Sequence, residues 1–232
     1  KPNGAPTATP RQFLARVNAD GTLDSAFDPT PDNVPYTMAL QADGRFLVGG
    51  AFSNIQTNGS PVHIAGEGIA RFNADGSLDP AFDPSAFNVR TVALQADGKI
   101  LIGGMFTALR PNGAFASTAR NYFARLLNDP APQILSAPSP NEVSWVRSGG
   151  APEIAQVTFE QSTNGGLSWV PLGDGVRVGA TPDFQLTGLS LPASGLLRAR
   201  GRNVGGYSNG ASGLVESFVS NAAATEIAVF GN

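Results

Sequence analysis

The sequence predicts an all-β protein: tandem repeats of period 54–55, followed by a β-sandwich. Three observations carry this. First, segments recur at a fixed spacing. Asn18-Ala-Asp-Gly-Thr-Leu-Asp24 returns as Asn73-Ala-Asp-Gly-Ser-Leu-Asp79, Leu40-Gln-Ala-Asp-Gly-Arg45 as Leu94-Gln-Ala-Asp-Gly-Lys99, and Val48-Gly-Gly-Ala-Phe52 as Ile102-Gly-Gly-Met-Phe106. A fixed period of this length marks units that each bury an apolar face on the next. Second, charged residues make up only 14% of the 232 residues, against 28 glycines and 18 prolines, a balance that suits short strands joined by turns. Third, glycine or proline interrupts almost every ten-residue window, and no 3.6-residue apolar period is sustained.

Each repeat reads as two hairpins. Phe13–Val17 alternates and leads into Asn18-Ala-Asp-Gly21, with Leu23–Phe27 as the return strand. Gly21 stands where a three-residue hairpin loop needs a left-handed residue, and Gly44, Gly76 and Gly98 occupy the same place in later turns. After Asp28-Pro-Thr-Pro31 come Tyr36–Leu40, a second Ala-Asp-Gly turn and Arg45–Val48. Gly49-Gly50 marks a bulge or a close backbone approach. Polar, glycine-containing loops span Ser53–Gly66 and Thr107–Ala119. Two hairpins make four strands per period, which is the blade pattern of a β-propeller.

Lys1-Pro-Asn-Gly-Ala5 matches Arg110-Pro-Asn-Gly-Ala114, and Arg125-Leu-Leu-Asn-Asp129 stops short of a final strand. The strand count is therefore one hairpin, one whole blade over about 35–82, and three strands of another, so residues 1–129 are expected to be propeller repeats incomplete at both ends. Such open edges invite pairing. Strands near Phe13–Phe27 or Asn88–Leu127 are expected to continue into other copies, another chain or further repeats of a longer protein.

Asp129-Pro-Ala-Pro132 breaks the pattern. Glu142–Val146, Ile154–Glu160, Leu167–Val170, Phe184–Thr187 and Leu196–Arg200 read as strands, and six or seven short strands with turns every eight to twelve residues suit an immunoglobulin-like sandwich over 133–220. Residues 221–232 form a tail without an assigned structure.

The repeats resemble the bacterial delta-60 repeat family, a proposed β-propeller. Ile69-Ala-Arg-Phe-Asn73, Asp75-Gly-Ser-Leu-Asp79, Phe82, Ala93–Gly104 and Phe106 carry the resemblance, which covers about 11–128; Asn128-Asp-Pro130 departs from it. The second half resembles the sandwich that often ends such proteins, through Trp145, Arg147-Ser-Gly149, Pro152, Phe159, Ser162, Gly166, Trp169, Arg198-Ala-Arg200 and Gly205-Gly206. Leu197–Asn203 with Gly205 and Ser208 resembles the last hairpin of fibronectin type III domains. The resemblance implies a secreted or surface-exposed bacterial protein, and the family has no defined catalytic residues to carry over.

Composition narrows the chemistry. A net charge of −3 gives no basic footprint for nucleic acid. The absence of cysteine removes disulfides, thiolate nucleophiles and zinc–thiolate sites. No apolar run approaches the length of a membrane helix.

Several groups merit weighing as sites. Asn18, Asp20, Thr22 and Asp24, with Asn73, Asp75, Ser77 and Asp79, place hard oxygens at alternate positions, as calcium requires, but without EF-hand spacing; turn stabilisation explains the same residues. Ser162, Asn164, Gly166 and Trp169 resemble an Asp-box, a structural hairpin motif. His63, the single histidine, lies in a loop near Glu67, and no Gly-x-Ser-x-Gly elbow is present. Two carboxylates meeting across blades would make a glycosidase site, yet almost every repeat aspartate already has a turn role. Arg198, Arg200 and Arg202 alternate on one strand face, as an anion or polysaccharide patch or as a solvated face. Asn58-Gly-Ser60 is a sequon by pattern only.

No catalytic residue, metal ligand or cofactor is assigned. The expectation is a non-enzymatic extracellular or cell-surface scaffold. Its partners would be a protein or polysaccharide at the cell surface, or other copies of itself. A carbohydrate-active hydrolase or lectin-like propeller is the alternative.

Overall fold

The computed structural model describes residues 8–56, 63–65, 67–111, 114–203 and 213–222. The chain is all-β, and among the described residues every sheet is antiparallel and no helix is long and apolar enough to cross a membrane.

The repeats build two equivalent three-stranded sheets. The first orders β2 (Pro35–Leu40), β3 (Phe46–Gly50) and β6 (Ile69–Phe72); the second orders β7 (Val89–Leu94), β8 (Ile100–Gly104) and β11 (Phe123–Leu126). Both carry the same bulge. Pro35 faces Gly50 while Thr37 faces Gly49, and Val89 faces Gly104 while Thr91 faces Gly103. Glycine is required here because a Cβ on Gly50 would lie 2.5 Å from the Val34 carbonyl, and one on Gly104 2.3 Å from that of Asn88. The double glycine thus marks both a bulge and a close approach.

The expected fourth strand is reduced to a single bridge in each unit, Val17 with Leu23 and Phe72 with Leu78. The turns between them form as expected, with Gly21 and Gly76 at φ 81° and 88°. The return arm then bends at Asp24 and Asp79, whose carbonyls accept from the Phe27 and Phe82 amides. Pro80 also has no N–H to extend the ladder.

The loops expected over Ser53–Gly66 and Thr107–Ala119 contain strands. β4 (Asn54–Gln56) pairs with β5 (His63–Ala65) and with β1 (Thr30–Pro31), and β9 (Ala108–Leu109) pairs with β10 (Thr118–Ala119). Among the described side chains one buried apolar residue anchors each, Ile55 and its counterpart Leu109. A single buried side chain in a polar stretch leaves no period to read.

The sheets stack. Leu47 and Ile69 of the first pack with Val92, Ile100, Ile102 and Ala124 of the second. The opposite face of the first sheet, through Phe46, Val48, Ala70 and Phe72, packs on Phe27 and Leu14. β3 is therefore buried along its whole length. The outer face of the second sheet stays exposed at Thr91, Ala93, Phe123 and Arg125.

Two four-stranded sheets follow. One orders β12 (Gln133–Ser139), β13 (Glu142–Arg147), β17 (Phe184–Thr187) and β16 (Val176–Arg177). The other orders β15 (Val170–Asp174), β14 (Ile154–Ser162), β18 (Ser194–Asn203) and β19 (Leu214–Ala222). Their facing sides share one core around Trp145, Phe159, Phe184, Leu197 and Val215. Gly201 lets Trp145 sit there, since a Cβ would lie 2.9 Å from the indole. Eight strands replace the six or seven expected, and β19 takes in Asn221 and Ala222, which the sequence reading left to the tail. Residues 223–232 lie outside the described residues.

Candidate functional site

The turn residues come first. Asp20 accepts from the Thr22 amide (2.9 Å) and hydroxyl (2.6 Å), and the Asn18 amide group donates to that hydroxyl (2.9 Å). Asp75, Ser77 and Asn73 repeat the arrangement at 2.9, 2.7 and 2.9 Å. These bonds, led by the hydroxyls of Thr22 and Ser77, hold both carboxyls below the ordinary aspartate range. Asp24 and Asp79 turn instead toward arginines, accepting from Arg16 at 2.8 Å and Arg71 at 2.9 Å. The alternate oxygens thus satisfy the turn and the neighbouring strand. Among the described residues no group of three histidine or carboxylate side chains is arranged to hold a metal.

The arginines link consecutive units. Arg16 donates to the Ala74 carbonyl of the next turn. Its counterpart Arg71 meets Asn128 at 2.5 Å and Asp129 at 3.1 Å, where the repeat pattern ends. Arg45 joins this cluster, 2.6 Å from Asp129 and 3.5 Å from Asp79. Burial opposes ionisation of Asp79, but the Ala81 amide and the Arg71 guanidinium more than offset it, so its carboxyl lies below the usual range. Sequence reading missed this cluster. Its signal was the replacement of Ala74 by an acid at the matching position, Asp129.

Backbone pairing completes the junction. The Ala42 amide donates to Ala151 (2.7 Å), the Glu153 amide donates to Leu40 (2.9 Å), and Gln41 bridges Pro152. Behind it Arg147, one of the few buried charges, stacks 4.9 Å from the Trp145 ring, and burial pushes its guanidinium down to about 10.

The Asp-box-like segment is a hairpin turn between β14 and β15. Buried Ser162 accepts from the Gly166 amide (2.9 Å), and Asn164 accepts from the Ser168 amide (3.0 Å). Trp169 lies under Arg198, 4.2 Å from ring centroid to guanidinium, and meets Phe218 edge-on. Arg198 pairs with Glu160 (2.5 Å) and Arg200 with Glu216 (3.0 Å), so two of the three arginines are neutralised in place and only Arg202 stands exposed. Glu67 accepts from the Ser85 hydroxyl (2.9 Å). His63 sits on β5 opposite Gln56; its side chain, like Asn58-Gly-Ser60, lies outside what is described.

Among the described residues two features stand out as open to a partner. Between β9 and β10, beyond the buried Leu109, Phe115 is fully exposed. Beside the first sheet lies a groove of about 760 Å³ walled by Leu14, Val17, Tyr36, Met38, Leu40 and Phe46.

Comparison with known families agrees with this architecture. Residues 4–27, 41–82 and 95–129 match the model of a family described as a domain of unknown function (DUF5122), beta-propeller. A search of curated proteins returned no match.

Proposed function

We propose, starting from the β-propeller domain of unknown function that the repeats form, that this chain is a non-enzymatic extracellular or cell-surface scaffold. Its hairpin loops are displayed to a protein or polysaccharide partner. The delta-60 character of the repeats and the immunoglobulin or fibronectin III kinship of the sandwich belong to the same reading. In it the sandwich serves as a rigid spacer.

One observation carries the reading. Ile55 and Leu109 are buried in the two loop hairpins, while Phe115 is wholly exposed to solvent. Binding residues are often carried on loops held by a rigid scaffold, and aromatic side chains are enriched at the cores of interfaces. The repeat aspartates, by contrast, are engaged in turns and arginine pairs.

The test is a glycan array run beside a hydrolysis screen on the same sugars. Binding without turnover, weakened about tenfold or more by Phe115→Ala, is expected. Turnover of a bound sugar would replace the scaffold with a hydrolase.

A further inference from the structure

The two repeat sheets act as controls for one another. Met38 and Val92 hold the same place in successive units, yet Met38 is 51% exposed and Val92 is 1% exposed. Leu40 is exposed, whereas its counterpart Leu94 packs against the core between the sheets. The difference has a visible cause. Val92 and Leu94 lie beneath the β2–β3 hairpin, which lays Ala39 and Leu47 over them, while among the described residues nothing equivalent covers Met38 and Leu40. The strand beyond such a hairpin is nevertheless in place. Leu14 stands where Ile69 stands one unit later, and packs on the first sheet as Ile69 packs on the second.

We propose that this groove is a docking site for a two-stranded β-hairpin of the repeat's own type. The proposal goes beyond loop display and is independent of it. The repeat specifies the occupant. It alternates apolar residues so that positions like Ala39 and Leu47 cover Met38 and Leu40. Its second strand adds to the edge at Leu14–Arg16, where no ladder strand pairs among the described residues, as β3 pairs with Ile69–Phe72. It carries a cation just after its turn, as Arg45 does. Arg45 reaches Asp79 at 3.5 Å, and the counterpart of Asp79 in the open unit is Asp24, whose arginine partner is Arg16. A second copy fits less well. Its exposed β7–β8–β11 sheet already has β11 on that edge, in the place that Leu14–Arg16 fills, so docking would require this segment to be expelled.

The test extends the full chain. A copy of residues 88–109 is placed ahead of Lys1, because Lys1-Pro-Asn-Gly aligns with Arg110-Pro-Asn-Gly. A second construction carries the same residues in scrambled order. Both contain Met38→Cys, the sole thiol in a cysteine-free chain. Alkylation at position 38 should be rapid in the unextended chain and with the scrambled extension. It should be slowed about tenfold or more by the authentic hairpin, because burial confines reaction to opened molecules. A Val92→Cys chain should react slowly without any extension. Equal alkylation of position 38 with either extension would overturn the proposal. So would light scattering that shows the unextended chain to be a dimer with position 38 protected, since the occupant would then be a second copy.

Discussion

Arg71 and Asp129 meet at 3.1 Å, at the point where the repeat pattern stops. One unit earlier the matching arginine, Arg16, which pairs with Asp24 in its own unit, makes its hydrogen bond to the next unit at the backbone carbonyl of Ala74. The same reach between units ends on a neutral acceptor inside the array and on a carboxylate at its margin. Arg71 also grips Asp79 at 2.7 Å, and both side chains are largely buried.

Removing Arg71 would leave Asp79 poorly compensated. Arg71→Ala should lower stability by about 1–3 kcal/mol in urea denaturation. Asp129 is more exposed, and Asp129→Ala should cost under about 1 kcal/mol. Equal losses would mean that the pair acts as a closed unit.

Acid should unfold the protein through these same groups. Asp24 is held below the ordinary carboxylate range chiefly by Arg16. Asp79 and Asp32 are held there although burial opposes it, Asp79 by Ala81 and Arg71 and Asp32 by Ser53 and Asn54. A carboxylate whose pKa is depressed on folding contributes stability that is complete above its unfolded value, near about 4, and is lost as pH falls through the folded value. Melting temperature should be level from neutral pH to about 5 and should drop below about 4. Asp79→Asn should flatten that drop.

Not all glycines should respond alike to alanine. Gly21→Ala strains a left-handed turn and should cost about 1 kcal/mol. Gly98 and Gly68 add collisions: a Cβ would lie 2.9 Å from the Asp129 carbonyl and 1.9 Å from that of Ala86, respectively. Denaturation midpoints should therefore fall further for Gly98→Ala and furthest for Gly68→Ala.

Calcium should leave stability unchanged. Oδ1 of Asp20 and Oδ1 of Asp75 each already accept two hydrogen bonds within their own turns. Melting temperatures in calcium and in chelator should agree. A rise of several degrees in calcium would assign these turns a metal, because binding to the native state stabilises it.

Much of the fold was legible because its signals are local. Gly21, Gly44, Gly76 and Gly98 announce their turns, and all four adopt positive φ. Gly49-Gly50 announces the bulge. The strands missed were those without a local period. β4 rests on Ile55 alone, and β12 contains Pro138. The fourth blade strand was over-read because Leu23 and Leu78 alternate correctly, yet Asp24 and Asp79 bend the chain at once. The Arg71–Asp129 cluster and the Met38 groove arise from what stands beside a strand in space, which no window of sequence contains.

The junction also bears on the order in which the molecule assembles during synthesis. Gln41 bridges Pro152, and the amides of Ala42 and Glu153 close the same patch. The Gln41 turn leaves the ribosome well before its partner exists, whereas the contacts of β2 with β3 and β6 are near in sequence. The first repeat sheet can form early from neighbouring segments, but its turn waits for the whole segment up to Glu153. Distant contacts of this kind form late, because the intervening chain must be ordered first. Docking of the sandwich on that turn should therefore follow formation of the first repeat sheet. A ribosome that stalls before Pro152 would hold out a repeat region with that turn still unpaired.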